Sequence, residues 1–142
     1  MKATNPLKVY KETQIKTANQ GKLIIMLYEG AIKNLNLALE SLKAKHQKFD
    51  YVSNCIMKTQ DILAELMVSL NFNKGGEIAR NLFSLYIFMN RQLLSANLKK
   101  ESKPLEEVKR MLTELRDAWK EIAGKTDVET DSAGDTGVNI AG

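Results

Sequence analysis

Gly75–Lys99 reads GGEIARNLFSLYIFMNRQLLSANLK. Projected at about 100° per residue, it carries more apolar surface than one packing face needs. Ile78, Leu82, Leu85, Tyr86, Met89, Leu93 and Ala96 fall on one stripe. Ala79, Phe83, Ile87 and Leu94 fall beside it and widen the apolar arc to about 200°, where a surface helix shows about 100°. Two readings follow. The helix is buried on two sides at the centre of a bundle, or one stripe faces the core and the other walls a groove for a partner.

The flanking segments also read as helices. Upstream, Ile24, Leu27, Tyr28, Ala31, Leu35, Ala38 and Leu42 recur at spacings of three and four, predicting a helix over Gln20–Lys45 with Asn19 as its cap. Gly30 lies inside it, where glycine costs about 1 kcal/mol relative to alanine; a close helix crossing would explain it. A second helix starts at Asp50 or Ser53 and runs to about Asn71, with Val52, Cys55, Ile56, Thr59, Leu63 and Leu66 on its main stripe. Met57, Ala64, Val68 and Phe72 form a thinner line nearly opposite, which makes this helix two-sided as well. Asn73-Lys74-Gly75-Gly76 breaks the chain before the third helix. Pro104 opens a fourth helix whose stripe is clean and one-sided (Leu105, Val108, Leu112, Leu115, Trp119 and Ile122), and Gly124 ends it.

The ends differ from the middle. Asn5-Pro6 opens a short helix bearing Leu7 and Tyr10, too short to stand alone in water, so it caps the bundle or acts as a lid that a partner displaces. Residues 125–142 are rich in Gly, Ser, Thr and Asp without apolar period and read as disordered. The predicted architecture is all-α: an arm over residues 1–18, an antiparallel four-helix bundle over 19–124, and an acidic tail over 125–142.

Composition narrows the function. Hydrophobic residues at 44% and charged residues at 27% suit a soluble globular domain. MKATNPLK has no apolar signal region, and no apolar run approaches the ~20 residues that span a bilayer. The chain is therefore expected to be cytoplasmic, without membrane insertion. The net charge is +4; Thr126–Gly142 holds Asp127, Glu129, Asp131 and Asp135 and no base, so the remainder carries +8. A basic body could attract nucleic acid. Its aromatics, however, sit on core stripes and are not interleaved with Lys and Arg, which counts against stacking platforms.

Catalytic constellations are absent from the pattern. His46 is the one histidine and sits in a Lys-rich connection, and the residue three before it is Lys43, which excludes the Glu-x-x-His pairs of a di-iron bundle. Cys55 is the one cysteine and lies on an apolar stripe, as a buried thiol does. Gly75-Gly76 lacks the Lys-Ser/Thr sequel of a phosphate loop. No enzyme, cofactor or metal site is expected.

Two stretches resemble a known family. Gly21–Ile32 (GKLIIMLYEGAI) is similar to the KLI..LYDGAI segment of the flagellin-export chaperones, FliS. Gly75-Gly76-Glu77-Ile78-Ala79, with Asn81-Leu82, Leu85-Tyr86, Met89, Leu93 and Ala96-Asn97, resembles the family's GGEIA.NL..LY…L..AN segment. Tyr10 and the Leu115–Trp119 end are also similar, so the likeness covers about residues 7–123. Glu29 stands where Asp is usual, Gln20 where Pro is common, and Phe88 where Tyr is frequent. The resemblance implies a cytoplasmic chaperone that binds the C-terminal segment of flagellin, prevents premature polymerisation and keeps it competent for flagellar type III export. On that implication the partner contacts Phe83, Ile87, Leu94 and Ala79 on the third helix and Met57, Ala64 and Val68 on the second. Asn90 or Asn97 hydrogen-bonds the partner's backbone, unless these are surface or interhelical amides. Leu7 and Tyr10 cover the apolar surface when the partner is absent. A second partner, in the export apparatus or a regulatory protein, stays open, as does the choice between monomer and weak homodimer. The alternatives are a basic bundle that binds nucleic acid and a regulatory or self-associating module.

Overall fold

The computed structural model describes residues 20–133, and all regular structure among them is α-helical. Helix α1 is Gln20–Lys43, α2 Phe49–Val68, α3 Phe72–Lys99 and α4 Ser102–Ala133. The arm with Leu7 and Tyr10, the Asn19 cap and residues 134–142 lie outside the described residues. Short connections make successive helices antiparallel neighbours, and α4 closes back onto α1. The result is a ring of four. α1 packs closely on α2 and α4, while α3, diagonally opposite, touches the same two helices more sparingly.

The core follows the predicted stripes. α1 buries ten of its 24 residues, Leu23 through Leu42 at three- and four-residue spacings. Val52, Cys55, Ile56, Leu63 and Leu66 of α2 meet them, with Leu105, Val108 and Leu112 of α4. Tyr28 of α1 and Tyr86 of α3 bring two hydroxyls into this apolar interior, where they hydrogen-bond each other. The Trp119 indole N–H also reaches the Tyr28 hydroxyl. Burial raises both phenol pKa values above the ordinary range, so both stay neutral.

Boundaries depart from expectation in instructive ways. α3 begins at Phe72, because the Asn71 side chain accepts from the Lys74 N–H at 3.0 Å and caps one early turn. Gly76 then breaks the helix at φ 53°, a left-handed backbone that glycine adopts without a Cβ clash. A Cβ on Gly75 would lie 2.9 Å from that of Ala79, so the turn folds back too tightly for any side chain there. At the other end Lys100 takes the left-handed C-cap conformation at φ 54°. Its ammonium donates to the Asn97 carbonyl and to Asn97 Oδ1 at 2.6 and 2.8 Å, which offsets the strain.

α4 runs past Gly124, where the sequence reading ended it, to Ala133. One glycine costs a helix about 1 kcal/mol but removes no backbone hydrogen bond. Gly30 also differs. A Cβ there would sit 3.4 Å from Ile62 Cδ1, ordinary contact, so the α1–α2 crossing does not require glycine.

Candidate functional site

The seam between α2 and α3 is the strongest candidate. Two side-chain hydrogen bonds tie it: Ser53 Oγ donates to Asn97 Oδ1 at 2.8 Å, and Gln60 Nε2 donates to Asn90 Oδ1 at 3.0 Å. Seven residues forward on α2 match seven back on α3, which sets the antiparallel register. In that register Met57 is level with Leu94, Ala64 with Ile87 and Val68 with Phe83. These are the two thin apolar lines of the sequence reading, and they face each other across one seam. All six lie further round their helices than the tied amides, so they rim a trough whose floor is polar.

The rim is available. Met57 is 49% exposed, Val68 72%, Phe83 39% and Leu94 50%, while Ile87 is half-buried. Large apolar side chains at such exposure, aligned and contiguous, mark an interaction surface better than scattered ones do. The span from Met57 to Val68 is about 16 Å at 1.5 Å per residue, three turns of a helix laid alongside. Aromatic residues close both ends. Phe72 packs edge-on against Phe83, ring centroids 6.0 Å apart. Phe49 sits under the Lys100 ammonium, 5.9 Å from the ring centre. Phe72 keeps its place in the line although it belongs to α3 rather than α2.

Not every expected residue joins this trough. Ala79 is only 3% exposed and lines a separate cavity of about 140 Å³ at one end of the bundle, with Ile24, Leu82, Tyr86 and Trp119. Asn90 and Asn97 are interhelical amides through Oδ1. A partner must use their Nδ2 groups.

The opposite flank of α3 holds a second apolar line that the sequence reading missed. Gln92 Nε2 donates to Glu107 Oε1 at 2.8 Å and ties α3 to α4. That register sets Phe88 level with Met111 and Ile78 near Ile122. Ile78, placed on the core stripe from periodicity, is 70% exposed, and Ile122 and Phe88 are exposed too. Ile78 lies near the end of the bundle, beside the Gly76 break, and none of the described helices buries it or Ile122. A helical projection gives direction around an axis but not where the neighbouring helices stop.

Among the described residues no three His, Cys, Asp or Glu side chains gather closely enough to hold a metal ion. No described helix is long and apolar enough to cross a membrane. Cys55 is a buried free thiol.

Comparison with known proteins adds an independent line. Residues 3–126 match the sequence profile of the family described as Flagellar protein FliS. The chain is 33% identical to the Flagellar secretion chaperone FliS of Bacillus subtilis (strain 168), over 85% of this chain and 88% of that protein. It is 37% identical to the Flagellar secretion chaperone FliS of Salmonella typhimurium, over 80% and 84% of the two chains. The Flagellar secretion chaperone FliSB of Pseudomonas aeruginosa is 30% identical over 87% of this chain and 99% of its own.

Proposed function

The chain belongs to the FliS family of flagellar proteins, and on that footing we propose that it is a cytoplasmic export chaperone for the C-terminal segment of flagellin. The observation that carries this reading is the α2–α3 trough, with Met57, Ala64 and Val68 facing Phe83, Ile87 and Leu94 in one register. The fit is helix-in-groove: an amphipathic segment lays its apolar face between two apolar rims. The chemistry is binding, without catalysis, cofactor or nucleic acid. Held on the chaperone, the segment cannot pair with other flagellins, and it stays competent for the flagellar type III export machinery.

Energetics favour a long contact. Ordering a disordered chain costs about 1–2 kcal/mol per residue in backbone entropy alone. Three turns in one trough repay that poorly, so the segment continues onto the second apolar line at Ile78, Phe88 and Ile122. α3 then has both flanks covered by one partner. Leu7 and Tyr10 belong to the segment that joins α1 at Gln20, beside the end cavity. In this reading that segment shields apolar surface until flagellin displaces it.

Calorimetry against the C-terminal peptide of flagellin from the same organism tests the proposal, with circular dichroism of the mixture. One-to-one binding, a negative heat-capacity change and helix gained beyond the sum of the parts are expected. Phe83→Asp abolishes the heat while the chain stays folded. Absence of binding at high micromolar concentration overturns the reading and turns attention to self-association through the same rims, which sedimentation measures.

A further inference from the structure

The floor of the trough is the feature that export binding alone does not explain. Four half-buried polar side chains lie in it as two stations, Gln60–Asn90 and Ser53–Asn97, seven residues apart on each helix. That separation is two helical turns, about 10.5 Å. Their mutual bonds use Oδ1 of each asparagine. Both Nδ2 groups are left over, since an asparagine amide donates two hydrogen bonds besides accepting through its oxygen. At the Asn97 station the Lys100 ammonium, 2.8 Å from Oδ1, adds a cation. Both stations therefore present donors, the Gln60–Asn90 one beside the Gln60 Oε1 acceptor, and the Asn97 one is also positive.

Resting on the chaperone reading above, we infer that these two stations set the register of the bound helix. They demand a partner whose apolar stripe is interrupted by oxygen-bearing polar side chains at positions i and i+7. An apolar side chain laid over a station strands the Nδ2 hydrogens away from water. A partner slipped by one turn puts leucines on both stations and its own polar groups on the rims. Each mismatch costs a desolvated donor, so affinity falls about tenfold per station. Buried asparagines in coiled coils fix register by the same logic, at the expense of affinity. The apolar rims hold the partner, and the stations decide which of several equivalent slides is occupied. At the Asn97 level the partner oxygen is an amide or a carboxylate, because Lys100 faces it.

The test is a leucine scan of the flagellin C-terminal peptide, titrated calorimetrically into the full-length chain. Each polar residue within the peptide's apolar stripe is replaced in turn. Two replacements seven residues apart are expected to weaken binding about tenfold each, the others little. Gln60→Leu/Asn90→Leu then removes one station, and against this variant the leucine peptide for that station binds as tightly as the native one. Asn90→Asp keeps an oxygen that accepts from Gln60 but turns the free donors into a charged acceptor. It guards against a variant that fails to fold, and it weakens native peptide binding at least tenfold without changing the melt. The register inference is overturned if the native peptide binds tightly but no pair seven apart matters, or if the variants keep the wild-type preference. If wild-type chain binds no flagellin peptide at all, the chaperone reading falls and this inference with it.

Discussion

α1 and α3 occupy opposite corners of the same ring, each between α2 and α4, yet they are built differently. α1 buries ten residues of 24; α3 buries five of 28. α1 is held chiefly by apolar contact on both flanks, with a half-exposed Lys120–Glu29 ion pair at 3.2 Å adding a polar tie to α4. α3 is tied on one flank by Gln60–Asn90 and Ser53–Asn97 and on the other by Gln92–Glu107. A side-chain hydrogen bond contributes only about 0.5–1.5 kcal/mol net, less than burying one large aliphatic side chain. Such ties position α3 without consuming its apolar surface, which then stays on both rims. One corner of the bundle secures the fold and the other presents a surface.

The largest expected effect lies at the α1 corner. Leu35 is completely buried. Leu35→Ala should destabilise the chain by about 2–5 kcal/mol, the range for cavities in a well-packed core. Thermal or denaturant unfolding measures it. A loss under 1 kcal/mol would mean that α1 is no better packed than α3, and the contrast would fail.

Next comes the Tyr28–Tyr86 link across the diagonal. Tyr28→Phe leaves the Tyr86 hydroxyl without its buried partner, at a cost of about 1–3 kcal/mol; Tyr28→Phe/Tyr86→Phe removes both polar groups and recovers part of it. The pair also has a pH signature. Both native pKa values lie above the unfolded value near 10. Above about pH 10 the unfolded chain loses these protons while the native chain keeps them, so stability is complete below pH 10 and falls as pH rises. The slope is about 1.4 kcal/mol per pH unit for each tyrosine. An alkaline series of melts should show this component in wild type and lose it in the double phenylalanine variant. An identical alkaline decline in both proteins would place the tyrosines outside the linkage.

How legible these corners were in the sequence follows from what each depends on. The α1 stripe depends only on helical period, so Ile24 to Leu42 were placed correctly. The thin lines Met57-Ala64-Val68 and Phe83-Ile87-Leu94 were also visible. Their alignment across one seam was not, because it needs the register that Ser53–Asn97 and Gln60–Asn90 supply. Ile78 was assigned to the core since periodicity carries no information about the end of the bundle near Gly76. The Asn71 cap was obscured by the Gly75-Gly76 breaker four residues on. A polar pair such as Gln60–Asn90 has no sequence signature at all, as its partners are thirty residues apart and meet only through tertiary packing.

A smaller effect of opposite sign probes the tight flank again. Gly30 has room for a methyl group, 3.4 Å from Ile62 Cδ1. Gly30→Ala should therefore stabilise the chain, by up to about 1 kcal/mol. Destabilisation would show that α1 and α2 close more tightly than ordinary contact and would sharpen the contrast with the open α3 side.

The smallest expected stability change is the most informative about function. Leu94 is half-exposed on the α3 rim, level with Met57. Leu94→Asp removes an apolar side chain that already meets water, so stability should move by about 0.5 kcal/mol or less, as for surface substitutions in general. A carboxylate there would nonetheless have to be desolvated beneath a bound apolar helix, a cost of several kcal/mol without a partner cation. Flagellin-peptide affinity should accordingly fall at least a hundredfold while the melt stays in place. The same substitution at Leu93, one residue back and fully buried, should do the reverse and unfold the chain. Adjacent residues with opposite phenotypes, one in binding and one in folding, are what a helix with separate core and partner faces requires. If Leu94→Asp also unfolds the chain, the rim is core, and α3 differs from α1 only in degree.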